Sequence, residues 1–209
     1  MKNFISKAIT GIILIFIFAL IYGFIKDKVI DIFTEEETVK SAYYISDKSL
    51  EETLSDSLFT VSEECSVTRV VDGDTIDVDC PSGKNQSVRY LLIDTPEVWK
   101  KVSGKWIEDN QCYGKEASKM NKSLVENKKV ILISNTLEPK DYYNRKLSHV
   151  LINEGKDKNL IVNLFLVGEG FAKFEEYRGV MSFIYEDNAM KKMENIAKEN
   201  KKGLWGECY

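Results

Sequence analysis

SVTRVVDGDTIDVDC (Ser66–Cys80), followed closely by SVRYLLIDTPE (Ser87–Glu97), decides the fold of this 209-residue chain. Two runs rich in β-branched residues flank Asp72-Gly73-Asp74. Asp-Gly between such runs signals a hairpin, because the turn needs residues that tolerate positive φ. A third strand follows and closes at Thr95-Pro96, since the proline ring biases Thr95 toward an extended backbone. Residues 98–111 read as a long loop. Beyond it, Ala117, Met120, Leu124 and Val125 fall at helical spacing, which places an amphipathic helix over Gly114–Asn127. Val130–Ser134 and Leu147–Asn153 are strands four and five, joined by a Pro139–Arg145 loop. Leu160–Val167 and Glu186–Lys202 are two further helices, stopped by Gly168, Gly170 and Gly203. The expected class is mainly β with α: a five-stranded antiparallel barrel of the OB-fold type with three helices outside it.

Charge divides the chain into zones. Residues 1–30 carry +3, residues 31–65 carry −8, and the remainder carries +1 by difference from the whole-chain −4. A near-neutral domain thus follows an acidic segment, and the broad basic field of many nucleic-acid binders is absent. Phosphate binding would have to come from a local cluster of arginine and lysine. Ala8–Ile25 is uncharged over eighteen residues, about 27 Å as a helix, close to a hydrocarbon core. Residues 1–30 are therefore expected to form an N-terminal transmembrane helix, an uncleaved signal anchor, with a cleaved secretory signal as the alternative. The expected layout is anchor 1–30, acidic linker 31–64 and a folded domain 65–209. That corresponds to a single-pass cell-membrane protein with its domain extracytoplasmic or, alternatively, a secreted one.

Cys65, Cys80, Cys112 and Cys208 allow three disulfide pairings. The hairpin could bring Cys65 near Cys80, leaving Cys112 to staple Cys208; four separate buried thiols are the other reading. Disulfides would suit an oxidising compartment.

The chemistry-bearing residues are Asp74, Arg89, Asp94, Glu97 and, in DYYNR (Asp141–Arg145), Arg145. Carboxylates from separate strands offer hard oxygen ligands, and guanidinium groups match phosphate oxygens in pairs. DGDT, then R-x-x-x-x-D-T-P-E, then Y-x-R in this order resembles the staphylococcal nuclease (thermonuclease) family over about Ser66–Trp205. The resemblance implies the OB-type fold and hydrolysis of DNA and RNA, single-stranded or locally opened, with little sequence specificity. It also implies Ca2+ on Asp74, Asp94 and the Thr95 carbonyl. In the same way it makes Glu97 the general base and places Arg89 and Arg145 on the scissile phosphate. An unshifted Glu97 carboxyl would be ionised at neutral pH.

Asp72 reads as a turn former and Asp77 as solvent facing. Tyr142 and Tyr143 either stack on a base or sugar or pack into the loop. Two departures stand out. Asn144 occupies the position of a common glycine, tolerable because Asn accepts the left-handed conformation. In FAKFEEYRG, Glu175 and Glu176 stand where the best-known member has nucleotide-pocket tyrosines. His149, the single histidine, is expected to be partly buried structure rather than a catalyst. Trp205 is expected to pin the tail, and Met190, Met193 and Ile196 to form a core stripe. A non-catalytic nucleic-acid or protein binding module tethered to the membrane is the rival reading.

Overall fold

Alternation of side chains along the strands puts Val67, Ile76, Val78 and Val88 inside while Ser66, Thr68, Asp77, Asp79 and Ser87 reach solvent. The computed structural model describes residues 37–55, 60–103, 105–109, 111–135, 140–176 and 188–209. Two compact units are present, Met1–Ala42 and Tyr43–Tyr209. In the first, 37–41 are helical. The second contains everything that follows.

Its strands are β1 (Tyr44–Ile45), β2 (Thr60–Asp72), β3 (Thr75–Cys80), β4 (Gly83–Tyr90), β5 (Ile93–Asp94), β6 (Trp99–Val102), β7 (Lys105–Glu108), β8 (Lys129–Asn135), β9 (Lys146–Asn153), β10 (Asn159–Ile161) and β11 (Lys173–Phe174). Its helices are α1 (Asp47–Ser55), α2 (Gly114–Val125), α3 (Val162–Gly168), α4 (Ala189–Glu199) and α5 (Leu204–Glu207). β2 pairs with β3, β3 with β4, β2 with β8 and β8 with β9, all antiparallel. A parallel β4–β9 pairing, with Arg89 opposite Leu147, closes the ring. The result is a five-stranded mixed barrel, which corrects the all-antiparallel expectation. Hairpin signals report strands adjacent in sequence. β4 and β9 are separated by β5, β6, β7, α2 and β8, a crossover long enough to let them run parallel.

Three further expectations change. SVRYLLID is not one strand: β4 ends at Tyr90 and the chain turns through Leu92 at φ 61° before β5. An apolar run conceals that turn, which is held from outside by Leu91 N–H donating to the Ser148 carbonyl at 2.9 Å. The 98–111 segment contains the β6–β7 hairpin rather than only loop. Asn159–Ile161 is strand, so the helix expected from Leu160 begins at Val162. In α4 the buried positions are Met190, Met193 and Ala197, with Ile196 half-buried. His149 is fully buried. The tail is pinned by buried Leu204, while Trp205 lies half-exposed and stacked on Tyr209 at 5.2 Å.

Both disulfides are present, Cys65–Cys80 and Cys112–Cys208, and among the described residues no cysteine is free. Residues 43–55 and 60–64, assigned by composition to the acidic linker, contribute β1, α1 and the start of β2 to the second unit. The apolar segment 8–25 lies outside the described residues. Among those described, no helix is long and apolar enough to cross a membrane.

Candidate active site

The tight turn between β2 and β3 brings Asp74 against Thr95. Asp74 Oδ2 accepts from the Thr95 N–H and the Thr95 hydroxyl, each at 2.9 Å, and Oδ1 accepts from the Thr75 hydroxyl at 3.0 Å. Gly73 is required for this approach, since a Cβ there would stand 2.7 Å from Thr95 Oγ1. Arg89, opposite Thr75 in the β3–β4 ladder, reaches the same place. One of its terminal nitrogens lies against Asp74 Oδ2, and the other donates to Asp94 Oδ1 at 2.8 Å. Arg89 and Asp74 are buried, whereas the Asp94 side chain is 49% exposed. Asp74, Arg89, Asp94 and Thr95 are therefore brought together.

Glu97 is fixed through its backbone. Gln111 Oε1 accepts from the Glu97 N–H, and the Gln111 N–H donates to the Glu97 carbonyl, both at 3.0 Å. Gly114 presses on the same segment, where a Cβ would meet the Glu97 carbonyl oxygen at 2.9 Å. The Glu97 carboxyl is pushed up to about 8 by burial first, then by the hydrogen bond and charge of Asp72; Arg89 opposes the shift and Asp94 adds to it. The expectation of an ordinary, fully ionised carboxylate is thus corrected. A second acid packed beside Glu97 makes ionising both costly. Asp72 is more than a turn former: its carbonyl accepts from the Asn121 amide at 2.8 Å, and Asn121 also accepts from the Tyr90 hydroxyl at 2.8 Å.

Arg145 stands in a loop that organises itself around Asp141. Asp141 Oδ1 accepts from the N–H groups of Tyr143 and Arg145 at 2.9 and 2.8 Å, and Oδ2 accepts from Arg145 Nε at 2.7 Å. Asn144 takes φ 65°, the left-handed conformation foreseen for it. The free end of the guanidinium approaches Thr75 Oγ1 at 3.5 Å, so the Thr75 hydroxyl stands between Arg145 and Asp74. Tyr142 and Tyr143 are 96% and 75% exposed, which excludes their packing into the loop interior. Asp77, expected to face solvent, pairs with Arg69 at 2.7 Å. Glu175 and Glu176 are exposed just beyond β11.

Around Arg89 the acids Asp72, Asp74, Asp94 and Glu97 outnumber the buried guanidinium. The Arg89 nitrogen against Asp74 also lacks a hydrogen-bond partner of proper geometry. An oxygen-only donor set with surplus negative charge fits a hard cation. Such a cation and Arg89 are alternative counter-charges for Asp74 and Asp94. By contrast, Glu63, Cys65 and Cys80 bring ligand atoms within 4.8 Å of one another, but both sulfurs are consumed by the disulfide.

Gln111, Asn121 and Asp141 escaped the sequence reading as site residues. Asn121 had a signal: it sits four residues from both Ala117 and Val125, a polar side chain on the buried stripe of α2. Gln111 had none, because its partner is a backbone brought near by the fold.

A small closed five-stranded barrel with helices packed on it defines a domain of the oligonucleotide-binding type. The chain belongs to the family described as Staphylococcal nuclease homologue, matching it over residues 87–207. It is 36% identical over 152 residues to the SPbeta prophage-derived endonuclease YokF of Bacillus subtilis (strain 168), covering 69% of this chain and 44% of that protein. Endonuclease YncB of the same organism is 35% identical over 147 residues, 66% of this chain and 60% of the relative. The thermonuclease of Staphylococcus hyicus is 37% identical over 139 residues, 66% and 73% respectively. The chain thus spans 44% and 60% of the length of the first two of these curated relatives.

Proposed function

We propose that this protein is a nuclease, a hydrolase of thermonuclease type that cleaves phosphodiester bonds of DNA and RNA with low sequence specificity and depends on Ca2+. The observation that carries the reading is the Arg89 guanidinium between Asp74 and Asp94, with Glu97 packed beside them and Arg145 reaching Thr75. Asp74, Asp94 and the Thr95 carbonyl would hold the cation. When bound, it supplies counter-charge for the anionic phosphate oxygens.

Glu97 takes the proton from the attacking water, and a carboxyl pushed toward neutrality suits that task better than a weakly basic one. The Gln111 clamp holds it in direction. Arg89 and Arg145 stabilise the charge that grows on the phosphate, with Arg145 nearer the leaving oxygen. Asp141 occupies the Arg145 Nε, which leaves its terminal nitrogens for phosphate. Tyr142 and Tyr143, exposed beside Arg145, offer rings to a sugar or base.

We further propose that residues 1–30 anchor the chain in the cell membrane and that the folded domain, which includes β1, α1 and the whole of β2, works outside the cytoplasm. Two disulfides support an oxidising location. The test is incubation of the protein with DNA and RNA in calcium or in chelator. Calcium-dependent cleavage that disappears in Glu97→Gln and Arg145→Ala variants is expected. Full activity in those variants, or none in the parent, would reject the reading.

A further inference from the structure

Beside Asp94 lies a cavity of about 230 Å³ lined by Asp94, Pro96, Gln111, Lys173, Tyr209 and the Cys112–Cys208 disulfide, among others. We propose that it is a nucleotide subsite, taking the nucleotide next to the scissile phosphate with a phosphate on Lys173 and its base on Tyr209. This rests on the nuclease reading above.

The charge balance identifies an anion. Of the two charged side chains lining the cavity, Asp94 is already engaged by Arg89 at 2.8 Å. Lys173, opposite Asp94 in the β5–β11 ladder, contacts only neutral groups among the described residues. Its Nζ donates to the Tyr209 hydroxyl at 2.6 Å and stands 5.2 Å from the Tyr209 ring centre and 6.0 Å from that of Trp205. Lys198, on the other side of Trp205, is by contrast neutralised by Glu194 at 2.6 Å.

The aromatic surface identifies a base. Tyr209 is 76% exposed and backed by Trp205 at 5.2 Å, so one ring is supported and the outer face is open. Stacking on such a platform does not depend on which base is present. The volume lies below the roughly 300 Å³ of a drug-sized site, which suits a single ring system.

The walls tie the cavity to the chemistry. Asp94 belongs to both, and Gln111 lines the cavity while clamping the Glu97 backbone. The Cys112–Cys208 bond carries Tyr209 to this position. A strand with one phosphate at Arg89 and Glu97 therefore has its neighbouring nucleotide over Lys173 and Tyr209.

The experiment measures binding of a fluorescent single-stranded oligonucleotide to the full 209-residue chain carrying Glu97→Gln, in calcium, with Tyr209→Ala or Lys173→Gln added. About tenfold weaker binding is expected for each, and in the Glu97-containing chain KM rises by the same factor with kcat unchanged. A substrate abasic on one side of the cleaved bond should lose as much as Tyr209→Ala does, with no further loss when the two are combined. Parent-like binding in both variants would overturn the subsite, as would equal weakening by the exposed Lys191→Gln, which changes only general charge. Failure to cleave with the binding losses intact would reject the nuclease reading and leave the subsite standing.

Discussion

Two halves of the site are built in opposite ways. Asp74, Arg89 and Thr95 are buried, and each is held by partners from other elements of the barrel. Arg145 sits in an exposed loop in which Asp141 accepts hydrogen bonds from Tyr143, Asn144 and Arg145. The buried half is inseparable from stability, because its ion pairs are part of the core. The exposed half is nearly independent of it and can lose function without loss of fold. The Thr75 hydroxyl links the two, donating to Asp74 and accepting from Arg145.

The strongest way to break this contrast is Asp74→Ala. It strands a buried Arg89 with Asp94 alone, and should cost about 3–5 kcal/mol in urea unfolding as well as abolish cleavage. A variant that unfolds like the parent would show that the buried half is not structural. Glu97→Gln separates the two effects: kcat should fall about 10²–10⁴-fold, while melting temperature holds because the substituted amide is neutral, like the largely protonated carboxyl that it replaces.

His149 tests the scaffold through pH. Burial holds its folded-state pKa at about 3, against 6.5 when unfolded. The unfolded chain binds the extra proton between those values, so stability from this group is intact above pH 6.5 and is lost progressively as pH falls toward 3. The loss at pH 4 should be on the order of 3 kcal/mol, and denaturant titrations of His149→Gln should show a flatter slope over that window. The smallest effect is expected from Asp141→Ala, which frees Arg145 to wander. About a tenfold fall in kcat with an unchanged melting temperature would fit a donor that is displaced rather than removed. A drop in melting temperature would mean that the loop is not independent after all.

Much of the scaffold was legible because it is written in local periodicity. The hairpin at Asp72–Asp74, α2 and strands β8 and β9 follow from alternation, helical spacing and turn residues. Asn144 in the left-handed conformation follows from side-chain chemistry alone. Leu92 could not be read that way, since nothing in an apolar run marks a residue at positive φ and its neighbours in other strands impose the turn. The β6–β7 hairpin lay in a stretch whose glycine, lysines and tryptophans read as loop.

By itself the sequence determined the inventory: two arginines and a set of carboxylates at intervals that mark a family, and cysteines with several possible partners. Only the tertiary structure decided that β4 and β9 run parallel and close the barrel, and that Arg89 spans Asp74 and Asp94. It also decided that Glu97 lies close enough to Asp72 to resist ionising. Residue types carry charge and valence, whereas pairing, burial and pKa depend on distances between segments remote in sequence, which only packing sets.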